Sequence, residues 1–433
     1  MFWILYNILF TIGYILLLPH FVARMLRRGG YRRNFGERFG RYAPEKIQAL
    51  GVGRIWVHAV SVGEAQLALA LIDVLRKEEP SLRFLISTTT STGYAILEKR
   101  KHADDVQVYF PVDFPCNVRR VVDVVRPRAV ILLECELWPN FLRCLSRADI
   151  PVWVVNGRIS ERSYQGYRKV RMFFSRAAEC ITTFLVQTEQ DAARLHDLGA
   201  ADVRVFGSAK FDLPLPDEQA LAVASKAVAD AGMDEQGLFW VMGSTWPGEE
   251  KELLKVFQVL RKTYADLQAI VVPRHAERGG AVEDVLRDSG LPYVRRSKMS
   301  SGGGHGKPVV LLADTTGELA GYYMLADLVY IGKSMAGNHG GQNPVEPAAL
   351  GKAVLTGKYM ENFPGVMVDL KAADAIITVS DFVDLQTQCE QLLADTAYRT
   401  SLGARAKELV ASRRGVMRRS AEFILSELRV SKR

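Results

Sequence analysis

The sequence predicts an α/β protein in which two parallel-sheet domains face each other across a cleft, preceded by an apolar N-terminal helix. Short apolar runs alternate with helical patterns along most of the 433 residues, which is typical of parallel sheets covered by helices. A break that contains two prolines, near residue 214, separates two such series. The composition, 48% hydrophobic and 24% charged, is that of an ordinary globular protein.

The first segment has the character of a membrane anchor. Residues 2–23 carry no charged side chain apart from a possible charge on His20, and as a helix these 22 residues would extend about 33 Å, close to a bilayer core. Eight basic residues follow against two acidic ones, a net of six of the chain's eight excess positive charges (Arg24, Arg27, Arg28, Arg32, Arg33, Arg38, Arg41 and Lys46 against Glu37 and Glu45). We predict a membrane anchor at 1–23 and a basic juxtamembrane segment at 24–50.

The charges around the anchor also predict its orientation. A positive flank on the C-terminal side favours the cytoplasm for the rest of the chain and attracts acidic lipid headgroups. A cleaved signal peptide is not predicted, because the basic start and the small-residue cleavage site are missing. A helix that spans the membrane and one that lies in its interface both remain open. The five cysteines have no metal-binding spacing, which predicts reduced thiols.

Twelve apolar runs are predicted to be strands. The first series is Ile55–Ala59, Arg83–Ser87, Val106–Phe110, Ala129–Leu133, Val152–Val155, Phe184–Val186 and Val203–Phe206. The second is Leu238–Met242, Ala269–Val272, Val309–Leu312, Leu328–Ile331 and Ala353–Leu355. Prolines 214 and 216 cannot continue a helix or a central strand, so we predict domains at 51–210 and 226–433, with a linker at 211–225. The glycine-rich run 301–306 lacks the lysine and hydroxyl of a P-loop and is predicted to be a flexible connection.

Loops that follow strands should carry the chemistry, because ligands of open α/β sheets gather beyond the carboxyl ends of the strands. Glu64 follows the first strand and opens a helix, where a carboxylate is either a partner of the helix dipole or a general base. Glu134 and Glu136 end another strand, where structural ion pairing is the competing explanation.

Basic and hydroxyl groups occupy similar places in the second half. Lys210 and Arg274 suit a phosphate, although surface cations are often only solvated. Ser244 and Thr245 lie at a helix start, where capping and phosphate contact are equally good explanations. The run 338–349 places glycines, an amide and a carboxylate before another helix, where a backbone can approach a ligand closely.

Taken together and in order, these motifs resemble those of the Kdo transferases, which attach 3-deoxy-D-manno-octulosonic acid (Kdo) to lipid A precursors. The resemblance covers nearly the whole chain. It is carried by Gly36–Gly40, HAVSVGE at 58–64, Ser87–Thr90 with Gly93, ELWPN at 136–140, KFD at 210–212, Ser244-Thr245, PRH at 273–275, DTTGEL at 314–319 and NPVEP at 343–347.

The resemblance implies a GT-B glycosyltransferase with two Rossmann-like domains, which uses CMP-Kdo as donor, a lipid A precursor (lipid IVA) as acceptor, and neither metal nor cofactor. It implies Glu64 as the base of an inverting reaction, with Glu134 and Lys210 as electrostatic stabilisers. The CMP contacts it implies are Pro273, Arg274, Thr316, Gly317, Glu318, Asn343, Pro344, Val345 and Glu346. It places the catalytic domains on the cytoplasmic side of the inner membrane, in contact with membrane lipid. Nucleic acid is not an expected partner, because the excess charge is concentrated beside the anchor.

Two positions depart from the family pattern. Lys333 follows Gly332 where a second glycine is expected, and Gln342 replaces a histidine before Asn343, so no proton transfer is expected there. Two alternatives to Kdo transfer remain open. One is another GT-B sugar-nucleotide enzyme that uses UDP, such as a hexosamine transferase or an epimerase. The other is a membrane-bound protein that binds lipid or nucleotide without turnover.

Overall fold

The computed structural model describes residues 2–28, 34–212, 214–299 and 307–430, and for residues 20–28 and Val62 the backbone alone. The chain forms two compact units, Met1–Ala209 with Gly415–Arg433, and Lys210–Arg414. The glycine-rich run 301–306, Arg32, Arg33 and Leu213 of the predicted linker lie outside the described residues. All five cysteines are free thiols, as predicted.

The first unit is built on a seven-stranded sheet in which every pair of neighbours is parallel. Its strands are β1 (Ile55–His58), β2 (Phe84–Thr88), β3 (Val106–Tyr109), β4 (Ala129–Leu133), β5 (Val152–Gly157), β6 (Thr183–Val186) and β7 (Val203–Val205), in the order β3-β2-β1-β4-β5-β6-β7. Its helices begin with α1 (Phe2–Arg28), α2 (Pro44–Leu50), α3 (Val62–Glu78), α4 (Ser91–Arg100), α5 (Pro115–Val125), α6 (Pro139–Arg147), α7 (Glu161–Lys169), α8 (Arg171–Ala178) and α9 (Glu189–Asp197), with a 3-10 helix at Phe35–Phe39.

The second unit repeats this architecture. Its helices are α10 (Glu218–Asp230), α11 (Glu249–Leu260), α12 (Gly279–Ser289), α13 (Leu319–Leu325), α14 (Val345–Ala349), α15 (Pro364–Ala372), α16 (Phe382–Ala394) and α17 (Thr396–Arg413), with 3-10 helices at Ala209–Asp212, Ala276–Arg278 and Arg296–Lys298. The strands β8 (Leu238–Thr245), β9 (Leu267–Pro273), β10 (Tyr293–Arg295), β11 (Val310–Leu312), β12 (Leu328–Ile331), β13 (Ala353–Gly357) and β14 (Ile377–Val379) form a parallel sheet in the order β10-β11-β9-β8-β12-β13-β14.

All twelve predicted strands are present, with ends that move by three residues at most. They were visible in the sequence because helices cover both faces of each sheet, so that the central strands are continuous apolar runs. The two strands that the sequence did not reveal, Tyr293–Arg295 and Ile377–Val379, are three residues long and lie at the two edges of the second sheet. Edge strands of this length carry too little hydrophobic pattern to be recognised.

The last helix, α18 (Val416–Val430), belongs to the first unit and not to the second. Val416, Ile424 and Leu428 lie in the same apolar core as β1 and α3, and Arg128 donates a hydrogen bond to the carbonyl of Leu428 at 2.9 Å. The structure therefore places 415–433 outside the expected second domain of 226–433. The expected linker at 211–225 also differs, because α10 begins at Glu218 and packs against α13. The local sequence of α18 shows an apolar face but not which sheet covers it.

Both sheets have a switch point beside their first strand. In the first unit the chain order reverses between β1 and β4, and in the second between β8 and β12. Connections leave these neighbouring strands toward opposite faces of the sheet, which opens a crevice at their carboxyl ends, where α/β proteins bind ligands. The residues predicted to be functional lie at or after the carboxyl ends of β1, β4 and β7 of the first sheet, and of β8, β9, β11 and β12 of the second.

Candidate active site

Glu64 lies in the first turn of α3, and its carboxylate binds the loop that connects β1 to this helix. Its two oxygens accept hydrogen bonds from the backbone N–H groups of Val60 at 2.9 Å and Ser61 at 3.2 Å, while its own N–H donates to the Ser61 hydroxyl at 3.2 Å. This arrangement is a capping box. The side chain is 7% exposed, and each oxygen keeps a second lone pair. The carboxylate is therefore a helix cap whose position is fixed by the loop and which keeps lone pairs for further hydrogen bonds.

The loop that holds Glu64 is itself fixed by β2 and its following loop. The Thr90 hydroxyl donates to the Val60 carbonyl at 3.0 Å. His58, at the end of β1, is fully buried, stacks on Phe110, and has its Nδ1 2.9 Å from the hydroxyl of Ser87. Burial lowers the pKa of His58 to about 3, so that this ring is neutral at physiological pH. Because it is neutral, it supports the loop by packing and not by charge.

Glu134 and Glu136 lie at the end of β4, beside β1. Glu134 has a φ of 56°, in the left-handed region that is uncommon for a residue with a Cβ, and its N–H donates to the Val155 carbonyl at 3.0 Å. Burial, together with the negative charges of Glu64 and Glu134, raises the pKa of Glu136 to about 7. The structure thus brings three carboxylates within electrostatic reach of one another. No separate role for Glu136 is predicted from the sequence, although its place two residues after Glu134 indicates that both side chains share one side of an extended chain.

In the second unit, the loops after β8 and β9 are joined. The carbonyl of Thr245 accepts the N–H of Arg274 at 3.1 Å and a guanidinium N–H of Arg278, also at 3.1 Å. Thr245 is fully buried with an unpartnered hydroxyl oxygen, and Ser244 has a φ of 55°. Pro273 is buried at the end of β9, and the Arg274 side chain is exposed to solvent. The two loops together present the solvent-exposed guanidinium of Arg274 beside the turn at Ser244, whose positive φ is strained.

Arg274 also lies near the run that opens α14. Asn343 accepts the N–H of Val345 at 3.0 Å and donates to Glu346 at 3.1 Å. Burial raises the pKa of Glu346, while the hydrogen bond from Asn343 and the positive charge of Arg274 oppose that rise. Pro344 and Val345 are buried and serve as packing residues. The positive charge of Arg274 thus acts on Glu346, and Glu346 is hydrogen-bonded to Asn343.

The remaining predicted contacts are arranged less simply. Thr316 and Gly317 are exposed after β11, but Glu318 is bound by Arg296 at 3.2 Å and by the Tyr322 hydroxyl at 2.6 Å. Although burial raises the pKa of Glu318, these hydrogen bonds hold it below its usual value. The carboxylate of Glu318 is thus engaged by Arg296 and Tyr322 within the second unit.

Lys210 lies in the 3-10 helix at the start of the second unit. Its ammonium group donates to the Asn362 carbonyl at 2.6 Å and lies 4.0 Å from the ring centroid of Phe363. Lys210 is thus held within the second unit by a hydrogen bond to a backbone carbonyl and by a cation–π contact.

A buried carboxylate that the sequence did not single out organises the switch point of the second sheet. Glu249, the first residue of α11, is fully buried and accepts five hydrogen bonds of 2.9 to 3.1 Å. The donors are the backbone N–H groups of Trp246, Lys333, Ser334 and Met335 and the hydroxyl of Tyr330. Burial raises its pKa and the four backbone donors oppose that rise. One side chain thereby joins the loop after β8 to the loop after β12.

Lys333, the departure noted in the sequence, lies in the second of these loops with a φ of 62°. Its ammonium group lies 4.6 Å from the centroid of the Trp246 ring, which itself contacts His275 edge to face. Among the described residues no group of three or more His, Cys, Asp or Glu side chains has the geometry to hold a metal ion. The loops after β8 and β12 thus place the ammonium group of Lys333 beside the ring of Trp246.

The fold of the chain is similar to that of solved sugar-nucleotide enzymes. A glycosyltransferase from Rickettsia africae matches with a TM-score of 0.58 and 12% identity, covering 87% of this chain and 99% of that one. A UDP-GlcNAc 2-epimerase from Neisseria meningitidis matches with a TM-score of 0.57 and 14% identity, covering 87% of this chain and 100% of that one. Identities this low show a shared fold alone.

Similarity in sequence is more specific. Residues 33–213 match the model of the family described as 3-deoxy-D-manno-octulosonic-acid transferase (kdotransferase). The 3-deoxy-D-manno-octulosonic acid transferase of Bordetella pertussis is 34% identical over 93% of this chain and 94% of its own length. That of Haemophilus influenzae is 31% identical over 91% of each chain. Identity at this level over nearly the whole of both chains confirms the resemblance, and the protein belongs to the Kdo transferase family and is a glycosyltransferase with the GT-B fold.

Proposed function

We propose that the protein transfers Kdo from CMP-Kdo to a lipid A precursor, lipid IVA, in lipopolysaccharide synthesis, at the cytoplasmic face of the inner membrane. The observation that carries the proposal most directly is the Glu64 carboxylate. It is held by two backbone N–H groups at the switch point of the first sheet, in a member of the Kdo transferase family. The relatives named above are Kdo transferases by description, and the exposed Arg274 beside Glu346 supports a nucleotide-sugar donor.

In the proposed reaction, a hydroxyl oxygen of the lipid attacks the anomeric carbon of Kdo while the bond from that carbon to the CMP phosphate oxygen breaks. Glu64 takes the hydroxyl proton, and CMP leaves with the electron pair of the broken bond, so the anomeric centre is inverted. Because Glu64 is held rigidly, little reorganisation is needed when the proton arrives. The CMP anion needs no strong acid but does need charge stabilisation.

That stabilisation is assigned to Lys210 and Arg274, whose cations face solvent in part. Thr316, Gly317 and Asn343 would contribute backbone and amide hydrogen bonds to CMP, and Ser244 and Thr245 a turn that approaches its phosphate. Glu346 would accept ribose hydroxyls. Glu134, with Glu136 beside it, would stabilise positive charge that develops on the sugar ring during transfer. This assignment requires no metal, because the leaving group is neutralised by side chains.

The test is an assay with the full-length protein, CMP-Kdo and a tetra-acylated lipid A precursor, in which product masses are recorded. We expect mass increments of one or more Kdo residues, and their loss in Glu64→Gln. Glu189→Gln is the matched control, because Glu189 also lies in the first helical turn after a strand of the same sheet but is exposed. The control should keep full activity.

Two results would contradict the proposal. Turnover of UDP-GlcNAc in place of CMP-Kdo would favour the UDP-dependent alternative, and equal turnover by Glu64→Gln would move the base to another residue. Glutamine keeps one acceptor oxygen for the capping box and leaves one backbone N–H without an acceptor, so the thermal unfolding midpoint of Glu64→Gln should fall modestly. A cooperative unfolding transition of the variant then separates loss of chemistry from loss of fold.

A further inference from the structure

One face of helix α1 is bound to the first unit by polar contacts. The hydroxyl of Tyr6 donates to the carboxylate of Asp113 at 2.9 Å, and the amide of Asn140 donates to the side-chain oxygen of Asn7 at 2.7 Å. These two hydrogen bonds fix the rotation of the helix about its axis. Among the described side chains of α1, no other adjacent pair offers a hydroxyl and an amide. Polar residues in an apolar helix also have little reason to face lipid.

Asp113 makes this attachment part of the folded core. It is fully buried and accepts the N–H groups of Asn140 and Phe141, at 3.0 and 2.8 Å, which open α6. The same carboxylate therefore holds α1 and the helix that follows Glu134 and Glu136. The Asn140 amide completes the link, because it bonds both Asn7 and the Asp113 backbone carbonyl.

Aromatic contacts extend the attachment in both directions along α1. Phe10 and Tyr14 meet the ring of Phe114 edge to face, with centroids 5.3 and 5.2 Å away. At the other end, Phe2 lies 4.8 Å from Phe173 between ring centroids. The Arg143 guanidinium is 4.5 Å from the centroid of the Trp3 ring. The attached face thus runs from Phe2 to Tyr14.

The part of α1 that is not attached to the first unit is too short to span a membrane. Residues 2–14 extend about 18 Å along the folded unit. The 14 residues that remain, 15–28, extend about 21 Å, whereas the apolar core of a bilayer is about 30 Å thick. They also include the basic residues Arg24, Arg27 and Arg28, which are costly in hydrocarbon. By length and composition alone Phe2–Pro19 could cross a membrane, but its contacts prevent it from doing so.

The opposite face of α1 is aliphatic and open. Its exposed side chains recur three or four positions apart, as one helical stripe requires, with exposures of 43 to 73% (Ile4, Leu5, Ile8, Leu9, Ile12, Ile15 and Leu16). Val170 and Met172, next to Phe173 in the sequence, are also exposed apolar side chains of the first unit. A stripe of this size, ending in three arginines, matches the acyl chains and the acidic headgroups of a phospholipid layer.

We propose that α1 lies in the plane of the membrane interface, docked on the first unit by its aromatic and polar face, with its aliphatic face in acidic phospholipid and without crossing the bilayer. The inference rests on the membrane association in the proposed function but not on the reaction. The N-terminus then stays on the same side as both units, and the loop that carries Glu134 and Glu136 is fixed to the membrane helix through Asp113.

The decisive test is the topology of the full chain with one epitope tag at each end, expressed in a Gram-negative host. Protease added to intact spheroplasts should cleave neither tag, and protease added to inverted membrane vesicles should cleave both. Cleavage of the N-terminal tag alone in spheroplasts would overturn the proposal, because it would show a crossing. Recovery of the protein in the soluble fraction would overturn it equally.

A second measurement tests the occupant of the aliphatic face. The purified full-length protein is floated with vesicles of phosphatidylethanolamine and phosphatidylglycerol. Ile8→Glu should lower vesicle affinity about tenfold, because it replaces one buried aliphatic side chain with a charge. Val368→Glu is the matched control, since Val368 is 64% exposed on α15 of the second unit, and it should leave affinity unchanged.

Two further outcomes would contradict the assignment to lipid. Unchanged flotation of Ile8→Glu would show that the stripe does not enter the membrane. If the parent protein is a dimer in solution and Ile8→Glu makes it a monomer without changing flotation, a second copy of the chain covers the stripe in place of lipid. Product masses are recorded in parallel, so that a failed transfer reaction and a failed membrane topology are distinguished from each other.

Discussion

Replacing Glu249 with glutamine should release the two loops at the switch point of the second sheet. One oxygen of this buried carboxylate accepts the backbone N–H groups of Trp246 and Lys333, both at 2.9 Å. The other accepts those of Ser334 and Met335. Glutamine keeps the shape but has only one acceptor oxygen. In one orientation of the amide, the buried N–H groups of Ser334 and Met335 face an NH2 group that cannot accept them. In the other, the half-buried N–H groups of Trp246 and Lys333 do.

The size of the effect follows from this count. A buried donor left without a partner costs about 1 to 3 kcal/mol, so two such donors cost about 2 to 6 kcal/mol. Since about 1.4 kcal/mol corresponds to a tenfold change in an equilibrium constant, local opening of the loops should become at least about 30-fold more frequent. The effect should be confined to the second unit, because every partner of Glu249 lies there.

Amide hydrogen exchange is the suitable assay, since it reports local opening directly. Peptides that cover 330–340 should exchange faster in Glu249→Gln, while peptides from β4 should not change. Glu252→Gln is the control, because Glu252 lies one turn further along α11 and makes only a surface ion pair with Lys255 at 2.9 Å. CMP affinity, measured by calorimetry, should fall in the first variant alone. Equal exchange of 330–340 in both variants would refute the role given to Glu249.

Three other substitutions give separate tests. In the folded protein the Glu136 carboxyl is neutral below pH about 7, whereas in the unfolded chain it ionises at the lower pKa that is ordinary for glutamate. Its contribution to the stability of the fold is therefore fully present at low pH and is lost as the pH rises to about 7. In urea unfolding, Glu136→Gln should abolish this loss of stability with rising pH. In the transfer assay, it should abolish an inflection near pH 7 in the pH profile of kcat/KM. Gly332→Ala should lower the thermal unfolding midpoint of the second unit in calorimetry, because its Cβ would overlap the carbonyl oxygen of Ser244. Arg274→Gln should weaken CMP binding about tenfold or more in calorimetry, whereas Arg287→Gln, in an exposed ion pair, should not.

The sequence was most informative where local pattern and burial coincide. The strands of both sheets were predictable because they are apolar throughout and bounded by turn residues. The loops that follow strands carry Glu64, Glu134 and Arg274, whose catalytic and binding roles stay predictions. The structure shows that the carboxylate of Glu64 caps α3, and its role as a general base stays a prediction as well.

What escaped the sequence depends on partners distant along the chain. Glu249 appears in the sequence as an ordinary first-turn acid, and only the loop after β12, more than eighty positions later, makes it a hub. The raised pKa of Glu136 likewise depends on its burial in the folded chain first, and then on the charge of Glu64, which lies about seventy positions earlier. The apolar run of α1 predicted an anchor, but its contacts with Asp113 and Phe114 were needed to decide how that anchor is held.

The return of α18 to the first unit makes the second unit an insertion within the first. The chain passes from one unit to the other at Ala209 and again at Arg414, so the halves are joined by two covalent connections. A fragment that ends at residue 209 would lack Ile424 and Leu428 and would expose the apolar surface that these residues cover. A single proteolytic cut at either connection would leave the halves tethered. The segment 210–414, by contrast, is continuous, so that its expression alone would test whether the second unit folds independently.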